Sequence, residues 1–93
     1  TLGLARRAGK LNYGFDMVMM GLGDTHLLLL AEDCALRTCK NVEQAAADLQ
    51  IPVLRLPYTK DQLGVSIGTK PVGIIGVAEK GFAKSLAQTI QRG

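Results

Sequence analysis

Residues 27–33 read Leu-Leu-Leu-Leu-Ala-Glu-Asp, five consecutive apolar residues followed by two carboxylates. An uninterrupted apolar run of this length is typical of a short strand that is buried on both faces of a sheet. Asp33 is a candidate N-cap, because its carboxylate can accept hydrogen bonds from the free N–H groups of a first helical turn. The stretch therefore predicts a strand over residues 27–31 that leads into a helix over residues 35–49.

The predicted helix over residues 35–49 carries one apolar stripe. Its apolar side chains recur at every third or fourth position, a spacing that places them on one side of a helix: Leu36, Cys39, Val42, Ala46 and Leu49. We expect this side to be buried against the sheet. Cys39 and Cys34 are the only cysteines. Their separation is not that of a zinc site, so both are interpreted as buried, reduced thiols.

Similar patterns continue on both sides of this strand and helix. Toward the N-terminus they predict a helix, a strand and a second helix, at residues 2–8, 10–13 and 15–22. Toward the C-terminus they predict a strand, a helix, a strand and a last helix, at residues 53–56, 59–68, 73–77 and 79–92. Because strands and helices alternate with short connections, we predict a single α/β domain over residues 1–93. It is expected to be a three-layer α-β-α sandwich with a small four-stranded mixed sheet.

Two of the predicted helices have clear signals at their starts. Thr59 followed by Gln62 forms a capping box, and Gly68 is expected to end the helix that this box opens. In the final helix, Glu79 lies at the end where negative charge is favourable. The apolar side of that helix is expected to bury three residues: Phe82, Leu86 and Ile90.

The composition limits the classes of protein to which the chain can belong. The chain has 93 residues, of which 47% are hydrophobic, and a formal net charge of +3. This mild basic excess is compatible with nucleic acid as a partner. No apolar run is long enough to span a membrane, and no secretory signal pattern is recognised. We therefore expect a cytoplasmic protein with no membrane partner.

No arrangement of residues indicates catalysis. The chain has one histidine, and Glu32 and Asp33 are adjacent, so their side chains should diverge rather than share a site. The glycines and lysine of residues 64–70 lack the spacing of a phosphate-binding loop, and residues 21–23 lack the third glycine of a dinucleotide fingerprint. We therefore expect a protein that is not an enzyme and that holds no cofactor and no metal.

Two glycine-containing loops are candidates for ligand contact. Gly14 precedes a predicted helix, and a residue without a side chain allows a ligand to approach the backbone closely. The loop over residues 68–73 carries Lys70 and is stiffened by Pro71. If both loops lie on one edge of the sheet, they form a shallow recognition surface. Helix capping and turn formation explain the same residues without any ligand.

Five segments together resemble one known family. They are Leu-Gly-Leu-Ala-Arg-Arg-Ala-Gly-Lys-Leu at residues 2–11, Gly14 at the start of a helix, residues 27–33, Ile-Pro-Val at residues 51–53, and the Leu-Gly and Ile-Gly pairs at residues 63–64 and 67–68. Their order and spacing resemble the ribosomal protein L-seven-Ae superfamily and, within it, the small bacterial YlxQ-type members. The resemblance covers essentially the whole chain.

The resemblance implies an RNA-binding protein of a ribonucleoprotein. In this family an α-β-α sandwich recognises kink-turn RNA, a sharply bent internal loop flanked by sheared G·A pairs, and ribosomal RNA or messenger RNA elements and the ribosome are the implied partners. By this resemblance, the helix that begins at Gly14 would enter the widened groove, and the loop over residues 69–73 would cover a flipped-out nucleotide. Arg6 and Arg7 would add to the positive field. The implied RNA-binding residues are Lys10, Gly14, Phe15, Asp16, Met17, Met20, Thr69, Lys70, Pro71 and Val72.

The chain departs from the family pattern on the helix after Gly14. Asp16 occupies a position where Asn or Glu is common, and Met20 occupies a position that is usually Lys. Residues 17–20 are all apolar and successive side chains point about 100° apart, so they cannot all face the core. This indicates an alternative function, a protein-interaction module that has lost kink-turn binding. Its contact surface would be the methionine-rich helix, Met17 to Met20.

Overall fold

Four short strands form one mixed sheet in the computed structural model, which describes residues 9–92 and the side chains up to Gln88. The strands are β1 (Leu11–Tyr13), β2 (Leu27–Leu30), β3 (Val53–Arg55) and β4 (Ile74–Val77). Their order across the sheet is β1-β4-β2-β3. Strand β4 runs antiparallel to both of its neighbours, whereas β2 and β3 are parallel. The predicted mixed sheet is thus confirmed, with strand ends within one residue of those expected.

Four α-helices lie between and after the strands. They are α1 (Phe15–Met20), α2 (Leu36–Leu49), α3 (Lys60–Ile67) and α4 (Lys80–Arg92). Helix α1 ends two residues earlier than predicted, because the chain tightens at Gly21 into a short 3-10 turn over Leu22–Asp24. The predicted helix over residues 2–8, with Arg6 and Arg7, lies outside the described residues, and so does the side chain of Ile90.

Strand β2 joins two hydrophobic cores, one on each face of the sheet. Its four leucines are completely buried, and because side chains alternate along a strand they face opposite sides in turn. Leu27 and Leu29 pack in a cluster with residues of α3 and α4. Leu28 and Leu30 pack in a cluster with residues of α1 and α2. Helices therefore cover both faces, and the predicted three-layer sandwich is confirmed.

Asp33 does not cap the helix that follows it, so that prediction is wrong. The N-cap of α2 is Ala35, which offers no side-chain hydrogen bond. The Asp33 Oδ1 atom instead accepts a hydrogen bond of 2.8 Å from the backbone N–H of Lys60, in the first turn of α3. The carboxylate points across the sheet edge because the loop after β2 lies beside the start of α3.

The predicted capping box of α3 is confirmed. The Thr59 hydroxyl accepts a hydrogen bond from the Gln62 N–H at 3.2 Å, and the Gln62 Oε1 atom accepts one from the Thr59 N–H at 2.8 Å. Gly68 ends the helix in the left-handed conformation, with φ of 73°. With Asp33 added, three side chains satisfy the N–H groups at the start of this short helix.

The apolar stripe of α2 is shorter than predicted. Cys39, Val42 and Ala46 are buried as expected, but Leu36 and Leu49 are exposed. A helix of 14 residues is about 21 Å long, whereas a strand of four residues spans about 13 Å. Helix α2 is therefore longer than the strand it packs on, which accounts for the exposure of Leu36 and Leu49 at its two ends.

Glu79 stabilises the start of α4, as predicted. Its carboxylate oxygens accept hydrogen bonds from the N–H groups of Gly81 and Phe82, both at 2.9 Å. These two bonds favour the ionised carboxylate and lower the pKa of Glu79. Leu86 is buried and Phe82 is half-buried against the same core.

The outer strand β3 is short and lies between two prolines. Pro52 directly precedes it, and Pro57 follows two residues after its end. The Arg55 side chain is exposed on this strand. In the part of the chain that the structure describes, no helix has the length and apolarity that crossing a bilayer requires.

Candidate nucleic-acid interface

The two glycine loops predicted as contact sites meet at one edge of the sheet. The N–H of Gly14 donates a hydrogen bond of 3.1 Å to the carbonyl of Ile74, the first residue of β4. The N–H of Ala31, directly after β2, donates one of 2.9 Å to the carbonyl of Gly73. Gly14 has φ of 85°, a conformation that other residues rarely adopt. The tight turn from β1 into α1 thus holds the start of α1 beside the loop over residues 68–73.

The loop over residues 68–73 is fixed against helix α3. The Thr69 N–H donates to the carbonyl of Gly64 at 2.8 Å, and the Val72 N–H donates to the carbonyl of Lys60 at 3.1 Å. Helix and loop also approach closely at Gly64, where a Cβ atom would overlap the backbone carbonyl of Lys70. These contacts connect the loop to helix α3 at Gly64 and at Lys60.

A shallow cleft of about 210 Å³ lies between these loops and the start of α2. It is smaller than most sites for small molecules, which measure about 300–1,000 Å³. Its lining comes from α1, α2, α3 and both loops: Gly14, Phe15, Cys34, Ala35, Thr38, Lys60, Pro71, Val72, Gly73 and Ile74. The predicted recognition surface is thus present as a geometric feature.

Because Gly73 has no side chain, two neighbouring side chains lie close to its backbone at the floor of the cleft. A Cβ atom at Gly73 would lie 3.3 Å from Cδ of Lys60 and 3.4 Å from Sγ of Cys34. The aliphatic part of Lys60 therefore runs along the floor. Lys60 was missed by the sequence reasoning, although its place directly after the capping residue Thr59 fixes it at the start of α3, facing this edge.

The thiol of Cys34 is poorly suited to chemistry. Burial is the main cause that raises its pKa from 9.0 to about 11, and the hydrogen bond and charge of Cys39 add to the effect. Lys60 and Arg55 act in the opposite direction but do not offset it. The thiol is thus protonated at neutral pH and is a weak nucleophile. Within residues 9–92, no cluster of His, Cys, Asp and Glu could hold a metal ion.

Four of the ten predicted binding residues line the cleft, namely Gly14, Phe15, Pro71 and Val72, and the other six do not. Phe15 is 40% exposed, and Asp16, Lys70 and Pro71 are exposed with it, while Thr69 is half-buried. The side chain of Val72 is buried in the core, although Val72 is also among the residues that line the cleft.

Lys10 is separated from the cleft by the full length of β1. It precedes that strand, whereas Gly14 follows it, and the Lys10 carbonyl accepts a hydrogen bond from Ala78 at the far end of β4. The charge of Lys10 acts there on Glu79. The structure therefore does not bring Lys10 together with Lys70.

The methionines of α1 form a second surface. Met20 is 89% exposed and Met17 is 47% exposed, whereas Val18 is completely buried and Met19 packs against the core. The expectation that part of this apolar run reaches solvent is confirmed. Met17 and Met20 line a groove together with Asn12 and Gly21, here called the Met groove, which shares no lining residue with the cleft.

Two curated proteins are similar to the chain over most of its length. RNA-binding protein YlxQ of Bacillus subtilis (strain 168) is 33% identical over 87 residues, which cover 91% of this chain and 86% of that protein. RNA-binding protein YlxQ of Enterococcus faecium is 28% identical over 92 residues, covering 97% and 87% respectively. No protein-family model matches the sequence.

Solved structures share the fold. A protein of unknown function from Bacillus halodurans C has a TM-score of 0.90 and 34% identity, covering 97% of this chain and 92% of that one. The 15.5 kD RNA binding protein of Giardia lamblia has a TM-score of 0.81 over 98% of this chain and 79% of that one, and at 14% identity it shows the fold alone. Since 33% identity extends across most of both chains, this protein belongs to the YlxQ family, as its motifs predicted.

Proposed function

We propose that the protein binds structured RNA, with a kink-turn as its preferred element, at the edge formed by Gly14 and the loop over residues 68–73. One observation carries the proposal. The two segments that the family resemblance assigns to RNA are far apart in the sequence, yet they line one cleft. The names of the two YlxQ relatives, both RNA-binding proteins, support the same function.

The cleft offers contacts that suit an unpaired nucleotide. Gly14 has no side chain, so the start of α1 can approach the RNA closely. Phe15 gives a partly exposed aromatic ring for stacking, which contributes about 1–3 kcal/mol per base in single-stranded binding sites. Lys60 lines the cleft and Lys70 is exposed on the loop over residues 68–73, so both can contact phosphates.

Asp16 gives this edge a preference among bases. Its exposed carboxylate can accept hydrogen bonds from the imino and amino groups of guanine, but it repels phosphates. We therefore expect the first turn of α1 to face base edges of the RNA. We expect Lys60 and Lys70 to face the phosphate backbone of one RNA strand. This division suits a bent internal loop, in which base edges are accessible.

The proposed activity is binding alone. We propose a cytoplasmic component of a ribonucleoprotein, associated with the ribosome, that has no catalytic role. The protonated thiol of Cys34 supports the absence of nucleophilic chemistry in the cleft.

A binding titration tests the proposal. A fluorescent RNA with a kink-turn is compared with a control RNA whose sheared G·A pairs are replaced by Watson–Crick pairs, at low and at physiological salt. We expect tight binding of the kink-turn alone, and weaker binding as the salt concentration rises. Equal or negligible binding of both RNAs would rule out kink-turn recognition.

The exposure of Met20 and Met17 favours a second candidate function, contact with a protein partner through the Met groove. Methionine is an adaptable contact residue, and exposed apolar side chains on one helix face are a common feature of protein interfaces. Under this function, Met20→Glu abolishes partner binding with little dependence on salt. The cleft and the Met groove share no lining residue, but both include residues of α1.

A further inference from the structure

We propose that Cys34 and Cys39 are a site of reversible oxidative modification. The pair closes into a disulfide by exchange with a small disulfide, and closure reshapes the floor of the cleft. The effect on RNA rests on the proposed function, whereas the thiol pair itself does not. Three observations support the inference: the two thiols lie against each other, only one of them is reachable from solvent, and that one lines the cleft.

The start of helix α2 brings the two thiols together. Ala35 is the N-cap, so Cys34 is the residue before the cap and Cys39 is the fourth residue of the helix. Side chains at these two positions pack against each other over the first helical turn, in the arrangement known as a hydrophobic staple. In this chain both positions of the staple carry a thiol.

Hydrogen bonds connect the two cysteines in the structure. The Cys39 thiol donates to the carbonyl of Cys34 at 3.7 Å, and the side chains of the two residues are also hydrogen-bonded to each other. Both cysteines are free thiols. The S–S bond of a disulfide is about 2.05 Å long, which is shorter than any hydrogen bond between thiols. The two sulfurs must therefore move closer together when the disulfide forms.

Exposure sets the order of the exchange. Cys39 is 1% exposed, whereas Cys34 is half-buried and lines the cleft, so Cys34 meets the small disulfide first. Its thiol loses a proton, and the thiolate attacks one sulfur of the small disulfide and releases one small thiolate. The Cys39 thiol then loses its proton, attacks the Cys34 sulfur of the mixed disulfide and releases the second. The released thiolates take up the two protons, so two protein thiols are oxidised and one small disulfide is reduced.

The exchange is a slow, stoichiometric modification and not catalysis. Burial, as the main cause, and Cys39 raise the pKa of Cys34 to about 11, so little thiolate is present at neutral pH. The positive charges of Lys60 and Arg55 act in the opposite direction. A thiolate of higher pKa is also the stronger nucleophile, which offsets part of its low abundance. The pair should therefore respond to sustained oxidation rather than to a brief pulse.

Closure of the disulfide changes the cleft beside Gly73. A Cβ atom at Gly73 would lie 3.4 Å from Sγ of Cys34, so this sulfur packs against the loop over residues 68–73. The disulfide draws the sulfur toward Cys39 and removes the hydrogen bond that the Cys39 thiol donates to the Cys34 carbonyl. Because Cys39 is held in the core cluster beneath α1 and α2, the movement falls on Cys34. We therefore expect oxidation to weaken RNA binding several-fold.

Mass spectrometry tests the thiol pair without RNA. The folded protein is incubated at pH 8 with glutathione disulfide, and we expect a monomeric product that has lost two hydrogens and carries no glutathione. Cys39→Ala is the matched variant, which keeps Cys34 and should stop at the adduct with one glutathione. Circular dichroism checks that this variant is folded. A wild-type protein that stays reduced, or that stops at the glutathione adduct, would overturn the pair.

A reagent that needs two neighbouring thiols gives an independent measurement on the unmodified chain. Phenylarsine oxide condenses with two thiols, forming two As–S bonds and releasing water. We expect one arsenic to bind per reduced protein and to be removed by excess dithiothreitol. Absence of binding would overturn the contact between the two sulfurs, even if Cys39→Ala fails to fold.

Two further measurements test the effect on the cleft. The backbone amide signals of Lys60 and Gly73 should shift in NMR spectra when the disulfide forms, whereas that of the exposed Val65 on α3 should not. Oxidised protein should bind kink-turn RNA several-fold more weakly than reduced protein, and dithiothreitol should restore binding. Unchanged amide signals and RNA affinity would overturn the effect on the cleft. If the reduced protein binds no RNA, the proposed function fails, and the mass and amide measurements still decide the inference.

Discussion

At the residue scale, Lys60 and Lys70 are the cations that the proposed RNA contact depends on. Lys60 runs along the floor of the cleft, and Lys70 lies on the loop that closes one side. Each phosphate contact contributes to the salt dependence of RNA binding, because binding releases counterions. The charge of these two residues, rather than their length, is therefore the quantity to change.

We predict that Lys60→Gln and Lys70→Gln each weaken kink-turn binding and reduce the slope of log K against log salt by about one. Glutamine keeps the Cβ and Cγ methylenes of lysine and removes the charge. Lys84→Gln, on the exposed part of α4, is the matched control and should leave the slope unchanged. An unchanged slope for both cleft variants, measured by salt titration, would place the RNA elsewhere.

Cys34 yields a second prediction, because its pKa of about 11 lies two units above 9.0. In a Cys39→Ala variant, which keeps burial as the main cause of the raised pKa and loses the contribution of Cys39, the folded protein at pH 8 should carry several-fold less thiolate than the urea-unfolded chain. Alkylation by iodoacetamide, which requires the thiolate, should be slower by a comparable factor. The folded state also retains the proton longer, so the free energy of unfolding should fall as pH rises from 9.0 to about 11.

Similar alkylation rates in the folded and unfolded chains would contradict the raised pKa. A Cys34→Ser variant provides the control for the stability measurement. Its free energy of unfolding should not show the decrease between pH 9.0 and about 11 that belongs to Cys34.

At the element scale, helix α3 depends on a residue from another segment. The Asp33 carboxylate binds the Lys60 N–H at 2.8 Å, next to the capping box of Thr59 and Gln62. This hydrogen bond connects the loop after β2 with the helix that carries Lys60 into the cleft. The start of α3 is therefore positioned by tertiary contact as well as by its own sequence.

We predict that Asp33→Ala destabilises the protein by about 1 kcal/mol, as the loss of a helix cap typically does. Urea denaturation measures this directly. Glu32→Ala removes the neighbouring exposed carboxylate and serves as the control, with an expected change within about 0.5 kcal/mol. Equal effects of the two variants would show that charge, and not the cap, accounts for the stability.

The elements themselves could be predicted from local patterns, but their mutual contacts could not. The capping box of Thr59 and Gln62 involves positions three apart, so the sequence alone indicates it. Asp33 was assigned to the wrong helix because its partner is 27 positions away, and a local pattern carries no information on that distance. Leu36 and Leu49 fit the apolar stripe of α2, but their exposure depends on the length of the sheet beneath them.

At the scale of the whole molecule, one strand supports two cores. Leu28 faces the cluster beneath α1 and α2, and Leu29 faces the cluster beneath α3 and α4. Both leucines are completely buried. Because the same backbone carries both, loss of packing on one face is expected to weaken the other.

We predict that Leu28→Ala and Leu29→Ala each cost about 2–5 kcal/mol, a large share of the total stability of a small domain. Each variant should still unfold in a single transition. Circular dichroism and the fluorescence of the two tyrosines are two independent measurements of that transition. Val65→Ala, at an exposed position, should change stability little. Two separate transitions in either leucine variant would show that the cores unfold independently.

The order of the strands determines which of the predicted site residues lie close together in the structure. Gly14 and the loop over residues 68–73 could be singled out as loops, but their contact depends on β1 and β4 pairing as neighbours in antiparallel register. The same register puts Lys10 at the far end of β1, where it meets Glu79. The strand pairing is long-range, and no local pattern of the sequence specifies it.

The prolines beside β3 affect the tendency of the protein to aggregate at high concentration. An open strand edge can recruit strands from other molecules and so begin aggregation. Here the exposed edge has three residues, between Pro52 and Pro57, and proline offers no backbone N–H to an incoming strand. The charge of Arg55 further disfavours the close approach of an identical edge. The β3 edge is therefore poorly suited to pairing with the same edge of another molecule, so growth into fibrils through this edge is disfavoured.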